Sequence, residues 1–263
     1  MRVPNQYTSS NHSTEVALSI MELLADSREP LRLKDISESL GANTSTVLRF
    51  LNTFINSGYV AQDPVSQRYS LTYKICRLAW QVQENSELQA ITHPYLMELS
   101  SRFGEAACVS VKSDMCMVYI DTASGTGKSL MSRQQIGGNA PMHCTGNGKL
   151  CMLEFSETQI DEYIERKGLT KLTESTIVSR GKLLEELDKI RRQGFAEDRE
   201  ECEIGVRCIA YPIFDFTGKI VAGISITGPV SRMKSPALDK MKSALSEAAA
   251  AISARLGASD FNN

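Results

Sequence analysis

The sequence lacks any segment that could serve as a membrane span or a secretory signal. No run of about 18 apolar residues, the length that a helical span would need, occurs among its 263 residues. The N-terminal stretch MRVPNQYTSSNHST is polar and has no apolar core. We therefore expect no membrane association, and we interpret residues 1–12 and 258–263 as tails. Internal repeats and low-complexity tracts are missing as well.

Closely spaced cysteine pairs are also missing. The seven cysteines form no CxxC pair and no metal-finger spacing, and an odd number of scattered thiols indicates a reducing, cytoplasmic setting. His143 could still meet Cys144, Cys202 and Cys208 in a soft metal site or in a Cys–His nucleophilic pair. No short ligand spacing supports either arrangement. We predict no metal, no cofactor and no catalytic residues, with His143 at the rim of a pocket.

A complete phosphate-binding loop is absent. The segment SGTGKS at residues 124–129 resembles the end of such a loop. The full pattern requires a glycine five residues before Gly127, where the chain has Thr122. We therefore interpret this segment as a loop between strands, and the pattern disfavours an ATPase.

A strong excess of basic charge is absent too. The formal net charge is −2, although four basic side chains and one acidic side chain between Gly41 and Arg77 give that segment a local charge of +3. This is a modest footprint for nucleic-acid binding. Hydrophobic residues make up 42% and charged residues 23%, so the chain can bury a core, and its length allows two domains.

The most informative segment that is present covers residues 42–71. Its first half predicts a helix that Asn43 or Thr44 caps and that Gly58 ends. The helical spacing places one apolar stripe at Val47, Leu48, Leu51, Phe54 and Ile55. Two extended runs follow, at residues 59–62 and 68–71, and the turn residues between them indicate a hairpin.

Two further helices precede this segment. Ser13 or Thr14 is placed to cap the first, and the second covers about residues 33–40 and is closed by Gly41. Three short helices and a wing are typical of a winged helix-turn-helix, although any small helical bundle has similar stripes. We predict such a domain over residues 13–73.

The rest of the chain mixes strand and helix patterns. A predicted linker helix over residues 74–89 carries Trp80 and suits packing against a partner or against the same chain. Extended runs then cover residues 107–112, 115–121, 128–134, 195–198, 206–214 and 219–227, and helical patterns cover residues 93–102, 148–155, 156–164, 183–190 and 236–256. We predict an α+β domain over residues 90–257, with a single sheet flanked by helices.

Several of these segments resemble the IclR family of bacterial transcription regulators, in order and over about residues 13–257. The matching segments are ALSIMELLA (17–25), LKDISESLG (33–41), STVLRFLNTFINSGYV (45–60), RYSLTYKI (68–75), APMHCTGNGKL (140–150), GFAEDREECEIGVRCIAYPIFD (194–215) and ISITGPVSR (224–232). The resemblance implies a winged helix-turn-helix, a linker helix that helps to form dimers, and a GAF-like antiparallel sheet flanked by helices that binds an effector. Such proteins are homodimers or tetramers that read palindromic operators.

Six side chains are candidate DNA contacts. Arg49 can bond a guanine edge bidentately, and the hydroxyls of Ser45 and Thr46 suit phosphate oxygens. A solvated helix face or an intramolecular salt bridge is the alternative for Arg49. The full set is Thr44, Ser45, Thr46, Arg49, Asn52 and, on the wing, Arg68.

The chain departs from the family's recognition-helix pattern at two positions. Many members carry a lysine where this chain has Thr44, and a histidine or tyrosine is frequent where it has Leu48. The differences imply a lost phosphate contact or a changed operator preference.

The resemblance also implies a ligand pocket in the second domain. The matching positions are Ala140, as a hydrophobic wall, and Gly146, Asn147, Asp198, Val206, Cys208, Ser225 and Thr227. Free N–H groups at the turn into a helix at Gly146 favour a carboxylate, and the hydroxyls of Ser225 and Thr227 can donate to an acid group. Asn147 replaces a small residue and narrows the choice of ligand. Strand alternation is the alternative for the two hydroxyls, and a small core residue is the alternative for Cys208.

The favoured interpretation is a DNA-binding transcription regulator that responds to a small organic acid and is not an enzyme. A repressor is the commoner case in the family, and the sequence leaves repressor against activator open. Two alternatives remain: a Cys/His hydrolase of small acids, and an interaction module whose helix-turn-helix binds protein. Salt-dependent DNA binding would separate the regulator from the interaction module.

Overall fold

The computed structural model describes residues 11–78, 87–125 and 134–258. The chain divides into two compact units between Asn85 and Ser86, which is within the predicted linker. Half of that linker, including Trp80, and most of the predicted strand at residues 128–134 lie outside the described residues. Within the described ranges, no helix is long and apolar enough to cross a membrane.

The described part of the N-terminal unit forms three helices and a hairpin, followed by a helical segment at residues 74–78. The three helices and the hairpin strands are α1 (His12–Asp26), α2 (Leu33–Leu40), α3 (Thr44–Asn56), β1 (Val60–Gln62) and β2 (Tyr69–Leu71). The two strands are antiparallel, with Ala61 opposite Ser70. Backbone bonds of 3.0 Å and 2.7 Å join Leu31 to Tyr69 and attach the hairpin to the loop before α2. The predicted winged helix-turn-helix is confirmed.

The ends of the helices confirm the glycine predictions and correct one of the caps. Gly41 has φ +58° and Gly58 has φ +74°, so both adopt the left-handed conformation that stops a helix. The cap of α1 is Asn11, whose Oδ1 accepts from the amides of Ser13 and Thr14; neither of those residues is itself the cap. Asn43 is the N-cap residue of α3, as predicted, although its side chain makes no cap bond.

The core of the N-terminal unit consists of one apolar side from each helix and from the hairpin. Its fully buried members include Ile20, Ile36, Val47 and Leu51. Burying a side chain of this size stabilises a fold by about 1.5–3 kcal/mol. Leu48 was predicted in the same stripe, but 37% of its surface is exposed and it does not belong to this cluster. The reason is geometric: adjacent helical residues diverge by about 100°, and Val47 already points inward.

The C-terminal unit is an antiparallel sheet with helices on both faces. Its strands are β3 (Ala106–Ser113), β4 (Cys116–Ala123), β5 (Asn139–Ala140), β6 (Ala196–Arg199), β7 (Val206–Phe214) and β8 (Ile220–Pro229), in the order β5-β4-β3-β8-β7-β6. Its helices are α4 (Glu87–Phe103), α5 (Gly146–Met152), α6 (Glu157–Lys167), α7 (Arg180–Gln193) and α8 (Ala237–Arg255). The predicted α+β class is confirmed.

Each face of this sheet has its own core. Val109 and Ile209 point to the face that α4 and α8 cover, and Cys108 and Ala210 point to the face that α5, α6 and α7 cover. This alternation follows from the two-residue period of a strand. The hydrogen bonds between β3 and β8 bring residues far apart in sequence together, with Cys108 opposite Ser225.

Candidate functional site

The outward side of α3 is polar and carries no negative charge. Thr44, Ser45, Arg49 and Asn52 are exposed, and Thr46 is half-buried. The helix sequence TSTVLRFLNTFIN contains one basic residue and no acidic residue. Five of the six candidate DNA contacts therefore lie on one helix, with their polar groups available to a partner.

Arg49 is the only cation on this side of the helix. Its guanidinium lies 5.6 Å from the centre of the neighbouring Phe50 ring. Within the described part of the chain it forms no ion pair, so the alternative of an intramolecular salt bridge is not observed.

Arg68 is held more firmly than its place on the wing suggested. It is half-buried, and its Nη1 donates to the carbonyl of Pro30 at 2.9 Å. Part of its donor capacity therefore fixes the hairpin to the helices. At the tip of the hairpin, Asp63 accepts from the amides of Val65 and Ser66, and the Ser66 bond is the main reason that the pKa of Asp63 is lowered.

A cavity in the C-terminal unit brings together seven of the eight predicted ligand residues. We call it the ligand cavity; it is bounded by α5, by β7 and β8, and by the segment after β6. The seven residues are Gly146, Asn147, Asp198, Val206, Cys208, Ser225 and Thr227. Its volume of about 80 Å³ is smaller than the ~150 Å³ cavity that accommodates benzene, so a ligand must be compact or must move a side chain.

Close packing at glycine holds α5 against the sheet. A Cβ atom on Gly146 would lie 2.9 Å from the Cβ of Ala210, so only glycine allows this approach. The amide of Asn147 then reaches across the floor of the ligand cavity, where its Nδ2 donates to Ser110 at 2.8 Å and to Ser225 at 3.4 Å. The Oγ of Ser225 also lies 3.1 Å from the Sγ of Cys108.

Asp198 places a buried carboxyl group on the wall of the ligand cavity. Its Oδ1 accepts from the backbone amides of Glu201 at 2.7 Å and Cys202 at 3.4 Å. Burial is the main cause that raises the pKa of Asp198 to about 7, while the Glu201 amide bond and the charge of Lys149 oppose the shift. Lys149 is itself fully buried, with its Nζ 2.5 Å from the Glu201 carboxylate. The cavity thus contains a carboxyl group that titrates near neutral pH.

Cys208, one of two cysteines that line the ligand cavity, is a protonated thiol. Burial raises the pKa of Cys208 to about 12, and burial likewise raises the pKa of Cys108 to about 12. A thiol in this state is a weak nucleophile, which disfavours the Cys/His hydrolase. Nearby, the hydroxyl of Thr227 accepts from Gln134 Nε2 at 2.8 Å.

Ala140 and His143 lie elsewhere, which corrects two placements. Both line a second cavity with Cys116 and Tyr163, and neither lines the ligand cavity. Ala140 belongs to the short strand β5 at the sheet edge, beyond β4. His143 has Tyr163 Oη 3.0 Å from Nδ1 and the Thr170 carbonyl 3.2 Å from Nε2, and burial lowers its pKa.

These contacts leave the Cys–His hypotheses without support. His143 interacts with a tyrosine and a backbone carbonyl, and no cysteine is its partner in the residues that the structure describes. Over the same residues, no group of three or more His, Cys, Asp or Glu side chains is arranged to hold a metal ion.

The sequence reasoning missed an ion pair that lines the ligand cavity. Arg232 donates to the buried carboxylate of Glu105 from Nε at 2.5 Å and from Nη2 at 2.8 Å. The Glu105 carboxylate packs against Gly228, where a Cβ atom would lie 2.5 Å from Glu105 Oε2. The two partners are 127 residues apart, so no local pattern could have identified them. Tyr119 and Thr145 are further lining residues that the sequence did not indicate.

Both units match known protein families. Residues 13–64 match the IclR helix-turn-helix domain, and residues 80–254 match the family described as bacterial transcriptional regulator IclR C-terminal. The HTH-type transcriptional regulator KdgR of Escherichia coli (strain K12) is 34% identical over 242 residues, which cover 92% of this chain and 91% of KdgR.

Two further comparisons agree. The transcriptional repressor IclR of the same strain is 34% identical over 218 residues, which are 82% of this chain and 79% of that protein. The crystal structure of the Thermotoga maritima IclR superposes with a TM-score of 0.76 at 28% identity, covering 93% of this chain and 98% of that one.

Proposed function

The chain belongs to the IclR family of bacterial transcriptional regulators, and on this premise we propose that a small organic acid controls its binding to an operator. The protein is a DNA-binding transcription regulator. Relatives at this level of identity include proteins named as repressors, which favours repression as its mode of action. Because its target is DNA, the proposal places the protein in the cytoplasm.

The outward side of α3 carries the DNA half of the proposal. A recognition helix lies in the major groove with its N-terminal residues against the base edges. Arg49 would hydrogen-bond to a base edge or a phosphate, and Ser45 and Asn52 would hydrogen-bond to neighbouring base edges or phosphates in the same groove. The remaining members of the proposed interface are Thr44, Thr46 and Arg68. Arg68 would contact DNA with the N–H groups that do not donate to Pro30.

The ligand cavity carries the effector half of the proposal. The hydroxyls of Ser225 and Thr227 are donors suited to a carboxylate, and the amide of Asn147, which already donates to Ser110 and Ser225, positions the Ser225 hydroxyl. Asp198 stands opposite as an acceptor when ionised and a donor when protonated. Gly146, Val206 and Cys208 would complete the contact surface. The small volume favours an acid of few carbon atoms.

The two halves would communicate through a coupling free energy. An acid that binds one arrangement of the two units more tightly than another shifts the population towards it, and with it the affinity for the operator. We propose a homodimer or tetramer, because a symmetric oligomer presents two recognition helices at the spacing of a palindromic operator.

The decisive experiment measures both halves in the full-length protein. Gel-shift titration against DNA from upstream of its own gene should give saturable binding that weakens steeply with salt. A thermal-shift screen of small organic acids should then find one that raises the unfolding midpoint and changes the affinity for that DNA. Salt-independent binding, or turnover of an acid by the protein, would overturn the proposal.

A further inference from the structure

Leu48 is an apolar side chain on a polar side of the helix. It exposes 37% of its surface, whereas Val47 and Leu51 on either side are fully buried. It takes no part in the core cluster of the N-terminal unit. The exposed part of this leucine is therefore available to whatever lies against α3.

The neighbours of Leu48 show which surface that is. Ser45 and Asn52 lie three residues before it and four after it, and residues at these spacings are adjacent on a helix. Both are exposed, as is Arg49. Leu48 is the fifth residue of α3, in the N-terminal half that enters a groove. It thus sits among the side chains proposed to contact DNA.

The surroundings favour DNA over a protein partner. A protein interface needs a contiguous apolar patch of several hundred Å². The exposed part of α3 around Leu48 offers hydroxyls, an amide and a guanidinium and has no acidic residue. One apolar side chain among polar and cationic groups suits DNA, because DNA is a polyanion that displays isolated apolar groups.

The major groove displays one such group. The 5-methyl of thymine is the apolar feature of the base edges, and it distinguishes a thymine from every other base there. A leucine has no donor or acceptor, so it can discriminate bases only by burying this methyl group. We propose that Leu48 contacts a thymine methyl in each operator half-site and selects thymine at that position. This inference rests on the proposed DNA-binding function and adds a specificity determinant to it.

The test removes one methyl group from each half-site of the operator DNA. Duplexes that bind the full-length protein are first selected from a random library. Thymines in both half-sites are then replaced, one symmetric pair at a time, by uracil, which pairs identically and lacks only the methyl. Burial of one methyl is worth roughly fourfold in affinity, so losing both methyls of the critical pair should weaken binding by the wild type about 15-fold.

Variants assign that loss to Leu48. Leu48→Ala should bind the thymine and uracil operators equally, because the contact that senses the methyl is gone. Leu18→Ala is the matched control: Leu18 is an exposed leucine on α1, 59% exposed, and its loss should leave the uracil effect unchanged. Leu48→Gln serves as a second variant if the alanine variant unfolds, and it should also lose the uracil effect.

The results distinguish a failure of the proposed DNA-binding function from a failure of the proposed role of Leu48. If no specific sequence emerges from the selection, the proposed function fails. If a sequence emerges but uracil costs the wild type nothing at any thymine pair, or if both Leu48 variants keep the full uracil effect, DNA binding stands and the role of Leu48 is overturned.

Discussion

The two units arrange their polar side chains in opposite ways. On α3, Ser45 and Arg49 are exposed, and within the described residues their side chains make no hydrogen bond. In the ligand cavity, Asn147 and Ser225 are at most 4% exposed and are bonded to each other. A polar surface that is already hydrated costs the fold nothing to maintain, whereas a buried polar group must be paired. Substitutions of the exposed polar residues on α3 should therefore change binding alone, and substitutions around the cavity should change stability as well.

The largest effect should come from the buried charge behind the ligand cavity. Lys149→Met would leave Glu201 buried without its 2.5 Å partner, and losing one member of a buried pair costs about 3–5 kcal/mol. Urea unfolding should show this drop. Lys189→Met removes a 41% exposed lysine that also pairs with a glutamate, Glu186, and should cost less than about 1 kcal/mol. Equal losses in the two variants would contradict the contrast between buried and exposed pairs.

Removing the two hydroxyls of the ligand cavity should come next. Ser225→Val combined with Thr227→Val deletes two donors, and bonds to a charged group are worth about 1.5–3 kcal/mol each, so affinity for the acid should fall roughly 100-fold or more. Calorimetry with the acid found in the thermal screen measures the loss. Operator affinity without acid should be retained, which shows that the variant is folded. Full acid affinity would remove these residues from the proposed site.

A single change on α3 should weaken operator binding by roughly 10- to 100-fold. Arg49→Ala removes one bidentate donor, which is worth about 1–3 kcal/mol at a base edge. Gel shifts at one fixed salt concentration provide the comparison with the wild type. The thermal midpoint and the oligomeric state should not change, because Arg49 is exposed and unpaired in the described chain. If Arg49→Ala also lowered the thermal midpoint, Arg49 would contribute to stability as the buried cavity residues do.

The smallest effect, per unit of pH, should come from Asp198. Its pKa is raised to about 7 by burial, above the value of an unfolded aspartate, so the folded state binds more protons between about pH 4 and pH 7. Stability should therefore fall as pH rises through this window, by about 1 kcal/mol per unit relative to Asp198→Asn.

The matched control for Asp198 is on the wing. The pKa of Asp63 is lowered, mainly by the Ser66 amide, so its contribution is fully present above its unfolded value and is lost only in acid. Between pH 5 and pH 7, the free energy of unfolding of Asp63→Asn should vary with pH in the same way as that of the wild type. If the wild type and Asp198→Asn also showed the same pH dependence, Asp198 would be ionised throughout this range.

Local patterns predicted most of the architecture. The 3.6-residue period located α3, the turn residues located the hairpin, and the two-residue period located β7 and β8, because each of these signals is contained within a few neighbouring residues. Seven of the eight ligand positions converge in the structure because they lie on α5, β6, β7 and β8, which surround one cavity.

The failures have non-local or finer causes. Leu48 was assigned to the buried stripe because it is apolar, although its position around the helix axis places it at the margin of the core. Ala140 lies in the second cavity because strand order, not sequence spacing, decides which side of β4 it occupies. The Glu105–Arg232 pair depends on a fold that joins the start of β3 to the segment after β8.

The contact between Asn147 and Gly223 constrains how this pocket can change over time. A Cβ atom on residue 223 would lie 2.6 Å from Asn147 Oδ1, although Gly223 does not itself line the ligand cavity. Any larger residue at 223 is therefore tolerated only after residue 147 has become small. The order of the two substitutions is therefore set by sterics, and a change to a smaller residue at position 147 must precede any larger residue at position 223.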